Sequence, residues 1–476
     1  MIFELSAFLL KATLIYLQKT MKRIVFQSLM KWSAQAERKP LILRGARQVG
    51  KTFVVRELGE KFDYYIEVNF EKMPQIRSFF TQDLDPRRIC ELLSLQFDQP
   101  IIPGKSLLFF DEIQECPEAI LALRYFYEEL ADLHLVAAGS LIDFAIEEIG
   151  IPVGRVSFLY LYPLSFIEFL IAAEKERFAQ EIINHPVHEP LPEFIHQQLL
   201  ALLGEYMVTG GMPEVVANWL SKRDLRLIQT TQHELVEAYR QDFNKYAKKN
   251  QLKYVELIFN QTPSLISQAF KYTQLQTPYQ KRELAPCLDL LVKANIIHKV
   301  YHTSGNGVPL GADIDFEKFK LIFVDVGLCE SILGLTLKEW ILDPITTLVN
   351  KGSLCEAFVG QELLAYSPNN TKTDLYYWHR AERSSMAEVD YLIADHSRII
   401  PIEVKSNKGG ALKSLKHFLS THDTQSPYGI RFSAQNYSSY DPIHSYPLYA
   451  VAGLFSDNDL LTSFLNPLLG SVDPLK

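Results

Sequence analysis

Gly45–Ala46–Arg47–Gln48–Val49–Gly50–Lys51–Thr52 fits the pattern GxxxxGK[ST] in this chain of 476 residues. Its glycines let backbone N–H groups curl toward phosphate oxygens, and a helix opening at Lys51 adds positive potential. Lys51 is placed to meet β- and γ-phosphates, and the Thr52 hydroxyl to hold Mg²⁺. Sixty residues on (111 − 51), the apolar run Leu107–Leu108–Phe109–Phe110 ends in Asp111–Glu112. A carboxylate at the end of a buried strand can join Thr52 around Mg²⁺, and its neighbour can polarise a water for attack on a γ-phosphate. Ser140, which follows Leu133–Ala137 and Gly139, is either a γ-phosphate sensor or an ordinary loop serine. Arg155, after Gly154, either neutralises transition-state charge, in cis or in trans, or is a structural arginine. The chemistry these residues describe is binding of ATP with Mg²⁺ and its hydrolysis, with Glu112, Ser140 and Arg155 as the catalytic candidates.

A second constellation occupies 351–420. Glu356 falls on a helix, Asp390 lies in Glu388–Val389–Asp390–Tyr391, and Ile402–Glu403–Val404–Lys405 follows. A period of two puts Glu403 and Lys405 on the same face of a strand. With Asp390 on the preceding strand, two carboxylates and a lysine can hold a divalent cation and orient a water toward a phosphodiester. Asp390 and Glu403 are the candidate metal ligands. The competing readings are an ion-pair network that fastens a hairpin, or an inherited core used only for binding.

The elements that must position these groups follow from the hydrophobic pattern. Short apolar runs at Pro40–Leu43, Tyr64–Asn69, Ser106–Phe110, Leu133–Ala137 and Val156–Leu161 alternate with helical patterns at Lys51–Phe62, Asp85–Phe97, Glu118–Leu130 and Leu141–Glu148. That alternation predicts an α/β fold, a parallel sheet with helices on both faces. From 190 to about 300 the period is helical. Leu252–Val300 holds three helical patterns followed by a strand-like run, and Gly305–Asp315 reads as a loop or wing, so this middle is winged-helix-like. Lys281 and Arg282 would open its presumed recognition helix. A basic run, Tyr239–Lys253, is either a phosphate track or a solvated helix face. Strands return at Leu375–His379, Val389–Ala394 and Ile399–Val404. The expected organisation is an N-terminal extension over 1–20, a P-loop domain over 21–189, a helical lid over 190–250, the winged-helix-like region over 251–346 and a C-terminal α/β domain over 347–476.

The stretches RGARQVGKT, LLFFDEIQ, AAGS, GRVSFLYLYPLSFIEFL and YMVTGGMPEVV resemble an AAA-type P-loop ATPase of a widespread prokaryotic family. In that family a helical lid and a companion domain follow the ATPase. The resemblance implies ATP binding and slow hydrolysis, without a biological role. The C-terminal run Tyr377–Trp378, Glu388–Val389–Asp390 and Ile402–Glu403–Val404–Lys405 matches the YW…EVD…IEVK of the companion domain. It is also similar to the PD-(D/E)xK core of restriction-endonuclease-like folds, which would make Glu356, Asp390, Glu403 and Lys405 a nuclease-like set.

Composition narrows the rest. With 47% hydrophobic and 22% charged residues the chain is neither disordered nor fibrous. A net charge of −8 gives no global pull onto nucleic acid, so contact with DNA or RNA needs a local basic patch. Five scattered cysteines without a CxxC fit reduced thiols in a cytoplasm. Met1–Leu17 is apolar, but Glu4 and Lys11 interrupt it and it is too short to span a bilayer. No membrane is expected. The expected partners are ATP, DNA or RNA, an unidentified protein and further copies of the chain. Two functional readings compete: an ATPase that drives a nuclease-like or nucleic-acid-gripping C-terminal domain, and a regulatory ATPase whose C-terminal domain is a vestigial protein-binding module.

Overall fold

The computed structural model describes residues 21–150, 154–334, 337–382, 385–405 and 412–465. The extension expected over 1–20 lies outside them. Five strands, β1 (Leu41–Arg44), β2 (Tyr64–Asn69), β3 (Ser106–Asp111), β4 (His134–Ala138) and β5 (Ser157–Tyr160), form one sheet in the order β2-β3-β4-β1-β5. All four pairings are parallel. Alternate residues of each strand face opposite layers. Leu41, Leu43, Leu107, Phe109, Val136 and Ala138 enter one apolar cluster. Ile42, Leu108, Phe110, Leu135 and Ala137 enter the other. This is why the strands are continuous apolar runs: helices cover both faces. Each fully buried Leu or Phe contributes roughly 1.5–3 kcal/mol. The strands and the helices Lys51–Gly59, Pro86–Phe97, Pro117–Glu129 and Ile142–Ile149 fall where the pattern puts them.

Residues 193–246 form three helices, Glu193–Thr209, Pro213–Lys222 and Leu225–Tyr246. The middle region departs from expectation. Leu252–Val300 contains two α-helices, Leu252–Leu265 and Lys281–Lys293, with a 3₁₀ turn at Tyr272–Gln274 where the middle of three helices was expected. The antiparallel hairpin that follows, β6 (Ile297–Thr303) and β7 (Ile314–Phe323), is not a free wing. Strand β6 also pairs in parallel with β8 (Leu375–Glu382), through Val300 and Leu375. The hairpin is therefore the edge of a second sheet, one that draws strands from both sides of the boundary expected at 346. This sheet is completed by β9 (Ser385–Asp395), β10 (Arg398–Lys405), β11 (Gly429–Ser433), β12 (Ser438–Tyr440) and β13 (Ile443–Pro447). Its order is β12-β13-β11-β10-β9-β8-β6-β7, with mixed directions. Its core is continuous with that of the first sheet. Leu43, Leu164, Phe166, Tyr206, Phe358 and Tyr377 belong to a single cluster.

Candidate active site

The loop leaving β1 turns at Gly45, whose φ is +144°; a Cβ there would lie 2.1 Å from the Leu161 carbonyl oxygen, so only glycine fits. Gly50, at φ +100°, precedes the helix Lys51–Gly59. Lys51 is buried, and its Nζ donates to the carbonyls of Gly45 (3.0 Å) and Ala46 (2.7 Å). Burial pushes this ammonium down to about 8, against the pull of Glu112 and Asp111. The Thr52 hydroxyl lies 3.3 and 3.4 Å from the Asp111 carboxylate oxygens. Burial and the Glu112 charge push the Asp111 carboxyl up, while a bond from Asn69 Nδ2 (3.0 Å) works against them. Glu112 sits in the left-handed region at φ +51° and accepts from Gln114 Nε2 (2.7 Å).

The structure brings Arg47, Gln48, Gly50, Lys51, Thr52, Asp111, Glu112 and Ser140 to one cavity of about 430 Å³. Ala46 and Val49 are buried behind it. A hydroxyl and a carboxylate, both hard oxygen donors, fit Mg²⁺ carried in with nucleotide phosphates. Arg155 does not join them. It bonds Glu128 (2.9 Å) just before β5, which begins opposite Leu41 at the start of β1. The phosphate loop leaves the other end of β1, about 13 Å away at the usual rise per residue. Arg155 is not among the residues that line the cavity and lies toward the opposite end of the strands.

Three neighbours of the site escaped the sequence reading. Arg23 donates to Val49 O (2.7 Å) and Tyr162 O (2.7 Å) and pairs with buried Glu168 (3.1 Å). Glu168 also closes a capping box with Ser165. That S-x-x-E spacing was the one available signal. Gln114 lies so close to Gly139 that a Cβ there would meet its Oε1 at 1.9 Å. Asp242, on the helix Leu225–Tyr246, takes both bonds from Arg47, and nothing in the sequence linked residues so far apart.

The C-terminal set is arranged differently. Glu356, Glu388 and Asp390 converge on Lys320 of β7, at 2.9, 2.6 and 3.6 Å. Lys320 is fully buried, and these carboxylates raise its ammonium well above its ordinary range despite burial. Glu403 is turned to Lys405 (2.5 Å), and Asp390 accepts from Val404 N (2.7 Å). Among the described residues no group of three or more His, Cys, Asp or Glu is arranged to hold a metal ion. The two expected metal ligands are engaged by different cations, Asp390 by Lys320 (3.6 Å) and Glu403 by Lys405 (2.5 Å). Lys320 was missed because it lies in a run, Phe319–Phe323, that reads as a buried strand.

A model of the AAA domain family matches residues 37–170. Two further models, each described as a domain of unknown function (DUF8612 and DUF4143), match 200–339 and 351–451. The chain thus carries an AAA-type P-loop domain, followed by two regions of unassigned role. No curated protein matches. Among solved structures, the Walker-type ATPase PABY2304 of Pyrococcus abyssi is similar at 15% identity and a TM-score of 0.42, over 65% of this chain and 94% of that one. The ORC1 protein of Aeropyrum pernix, solved in complex with DNA, is similar at 13% identity and a TM-score of 0.27, over 68% and 92%. Among the described residues no helix is long and apolar enough to cross a membrane.

Proposed function

We propose that this chain is an ATP-hydrolysing switch, in which the nucleotide state of the AAA domain moves the helices of 190–250, acting as a lid, and through them the C-terminal sheet. The observation that carries this reading is the convergence of Lys51, Thr52, Asp111 and Glu112 on one cavity. On binding, Lys51 exchanges the carbonyls of Gly45 and Ala46 for phosphate oxygens. Thr52 and Asp111 would hold Mg²⁺, which would supply charge neutralisation at the phosphates. Glu112, fixed by Gln114, orients and deprotonates a water, and Ser140 contacts the γ-phosphate. Arg155 is exposed enough to reach a neighbouring copy, so a homo-oligomer would place it in trans.

For the C-terminal domain, the carboxylates gathered on Lys320 favour the regulatory reading, a module that binds and does not cleave. One observation supports a nucleic-acid grip beside it. Lys249, Lys253 and Arg282 line an open groove of about 780 Å³, though Glu256 and Glu283 line it too. Most of the remaining basic run is engaged: Arg240 pairs with Glu237, and Lys245 with Glu71 and Asp242. Incubation of the pure protein with DNA and RNA, with Mg²⁺ or Mn²⁺ and with or without ATP, separates the readings. ATP hydrolysis without cleavage or retention supports the regulatory switch; retention without cleavage supports the grip; cleavage lost in Asp390→Asn would overturn the closed cluster.

A further inference from the structure

Arg47 stands in the phosphate loop, yet its charge is spent elsewhere. Its Nη1 donates to both carboxylate oxygens of Asp242, at 2.8 and 2.7 Å. Nε and Nη2 have no partner among the described residues, and the side chain lines the same cavity as Lys51 and Glu112. Arg47 also lies near enough to Lys51 for its charge to add to the depression of that ammonium. Two cations beside one cavity are mutually unfavourable until an anion enters.

We propose that Arg47 reports the γ-phosphate: it exchanges Asp242 for the terminal phosphate of ATP and so loosens the last turn of the helix Leu225–Tyr246, while Tyr239 keeps the helix docked on the loop. The proposal rests on the ATPase reading above and names the residue that couples the site to the lid. Three features make the exchange feasible. First, a guanidinium with free donors can engage phosphate bidentately, and this pairing is stronger with a dianionic group than with a carboxylate. Second, the backbone of the loop is pinned, because Tyr239 of the same helix donates its hydroxyl to Arg47 O (2.7 Å), so the side chain can move alone. Third, Asp242 is largely buried, but it keeps a cation when Arg47 leaves. Lys245 Nζ lies 3.6 Å from its Oδ1. A buried carboxylate left without any partner would forbid the exchange; Lys245 removes that obstacle.

That last turn is well placed to pass the change on. Phe243 packs edge-on against Phe259 (5.2 Å) of the helix Leu252–Leu265. Tyr246 stacks on Phe144 (4.7 Å), in the helix that follows Ser140. Loss of the Arg47–Asp242 pair would therefore reach the packing of this helix against Leu252–Leu265 and Ile142–Ile149.

Calorimetric titration with Mg-ATP and Mg-ADP tests this, in a Glu112→Gln background that prevents turnover. Arg47→Ala should lower the ratio of ATP to ADP affinity by about tenfold while ADP affinity stays within about threefold. Arg47→Lys should recover part of the ratio. Asp242→Asn should tighten ATP, because the competing partner is weakened. Amide exchange in 225–246 should rise with ATP over ADP in the Glu112→Gln protein and not in its Arg47→Ala derivative. If Arg47→Ala weakens both nucleotides equally, or neither, or if Asp242→Asn weakens ATP as Arg47→Ala does, the pair is a static clamp and the proposal is wrong. Should Arg47→Ala fail to fold, Arg47→Lys and Asp242→Asn carry the same test. A protein with Glu112 intact that binds neither nucleotide would instead overturn the ATPase reading itself.

Discussion

Lys51 and Lys320 are both buried lysines surrounded by functional-looking residues, and they are opposites. Lys51 is held by two neutral carbonyls, and burial brings it down to about 8. Lys320 is held by three carboxylates, which drive its ammonium above the ordinary range. The first cation is desolvated by more than Glu112 and Asp111 offset, so an anion gains by joining it. The second has three carboxylates about it, so an anion gains nothing there, and a metal would have to displace the ammonium from their midst. A side-chain cation at the centre of a carboxylate cluster competes with a metal for the same oxygens. The difference between a ligand site and a fastening thus lies in who completes the charge, not in which motif residues are present.

The largest effect should come from opening the closed cluster. Lys320→Ala leaves Glu356, Glu388 and Asp390 uncompensated and should cost about 3–5 kcal/mol in chemical denaturation. Mn²⁺ should restore part of that in the variant and nothing in the parent. Stabilisation of the nucleotide-free parent by Mn²⁺ would erase the contrast. Next, Glu112→Gln should slow ATP hydrolysis by roughly 10²–10⁴-fold and leave ATP affinity in place, measured by phosphate release and calorimetry. Unchanged hydrolysis would remove Glu112 from the role given to it.

A pH titration sharpens the comparison further. Lys51 in the free protein is protonated below about 8 and neutral above it, whereas its ordinary value is 10.5. Phosphates favour the protonated form, so ATP affinity should fall as pH rises past 8, by up to about tenfold per unit. Binding there should take up a proton, which calorimetry in buffers of different ionisation enthalpy counts. An affinity flat from pH 7 to 9.5 would mean that Lys51 is not the desolvated cation described. The smallest effect concerns Arg155. Mixing Arg155→Ala with Lys51→Ala protein should restore a fraction of hydrolysis, because one mixed interface pairs an intact loop with an intact arginine. No rescue would leave Arg155 as the partner of Glu128 alone.

The parallel sheet was legible because buried parallel strands are unbroken apolar runs, as at Leu107–Phe110, and because each crossover helix shows its own period. The phosphate loop was legible because its glycines and lysine are constrained locally, by backbone curl and helix start. Long-range pairings were not. Arg47 and Asp242 are 195 residues apart, and Lys320 lies 70 residues before Asp390 (390 − 320), so no window contains them. The hairpin β6–β7 was misplaced for the same reason. Its strand pattern is local, but the partner that makes it a sheet edge, Leu375, comes 75 residues after Val300 (375 − 300). Arg155 precedes β5, and in a parallel sheet the start of each strand lies at the end opposite the phosphate loop.

Counting bound Mn²⁺ by electron paramagnetic resonance tests the contrast most directly. Titrated into the parent protein, Mn²⁺ should bind only when ATP is present, one ion per nucleotide, and Lys51→Ala should abolish that binding while Asp390→Asn leaves it intact. A tightly bound ion in the absence of nucleotide, kept in Lys51→Ala and lost in Asp390→Asn, would contradict the account: the carboxylates around Lys320 would then be an open metal site after all.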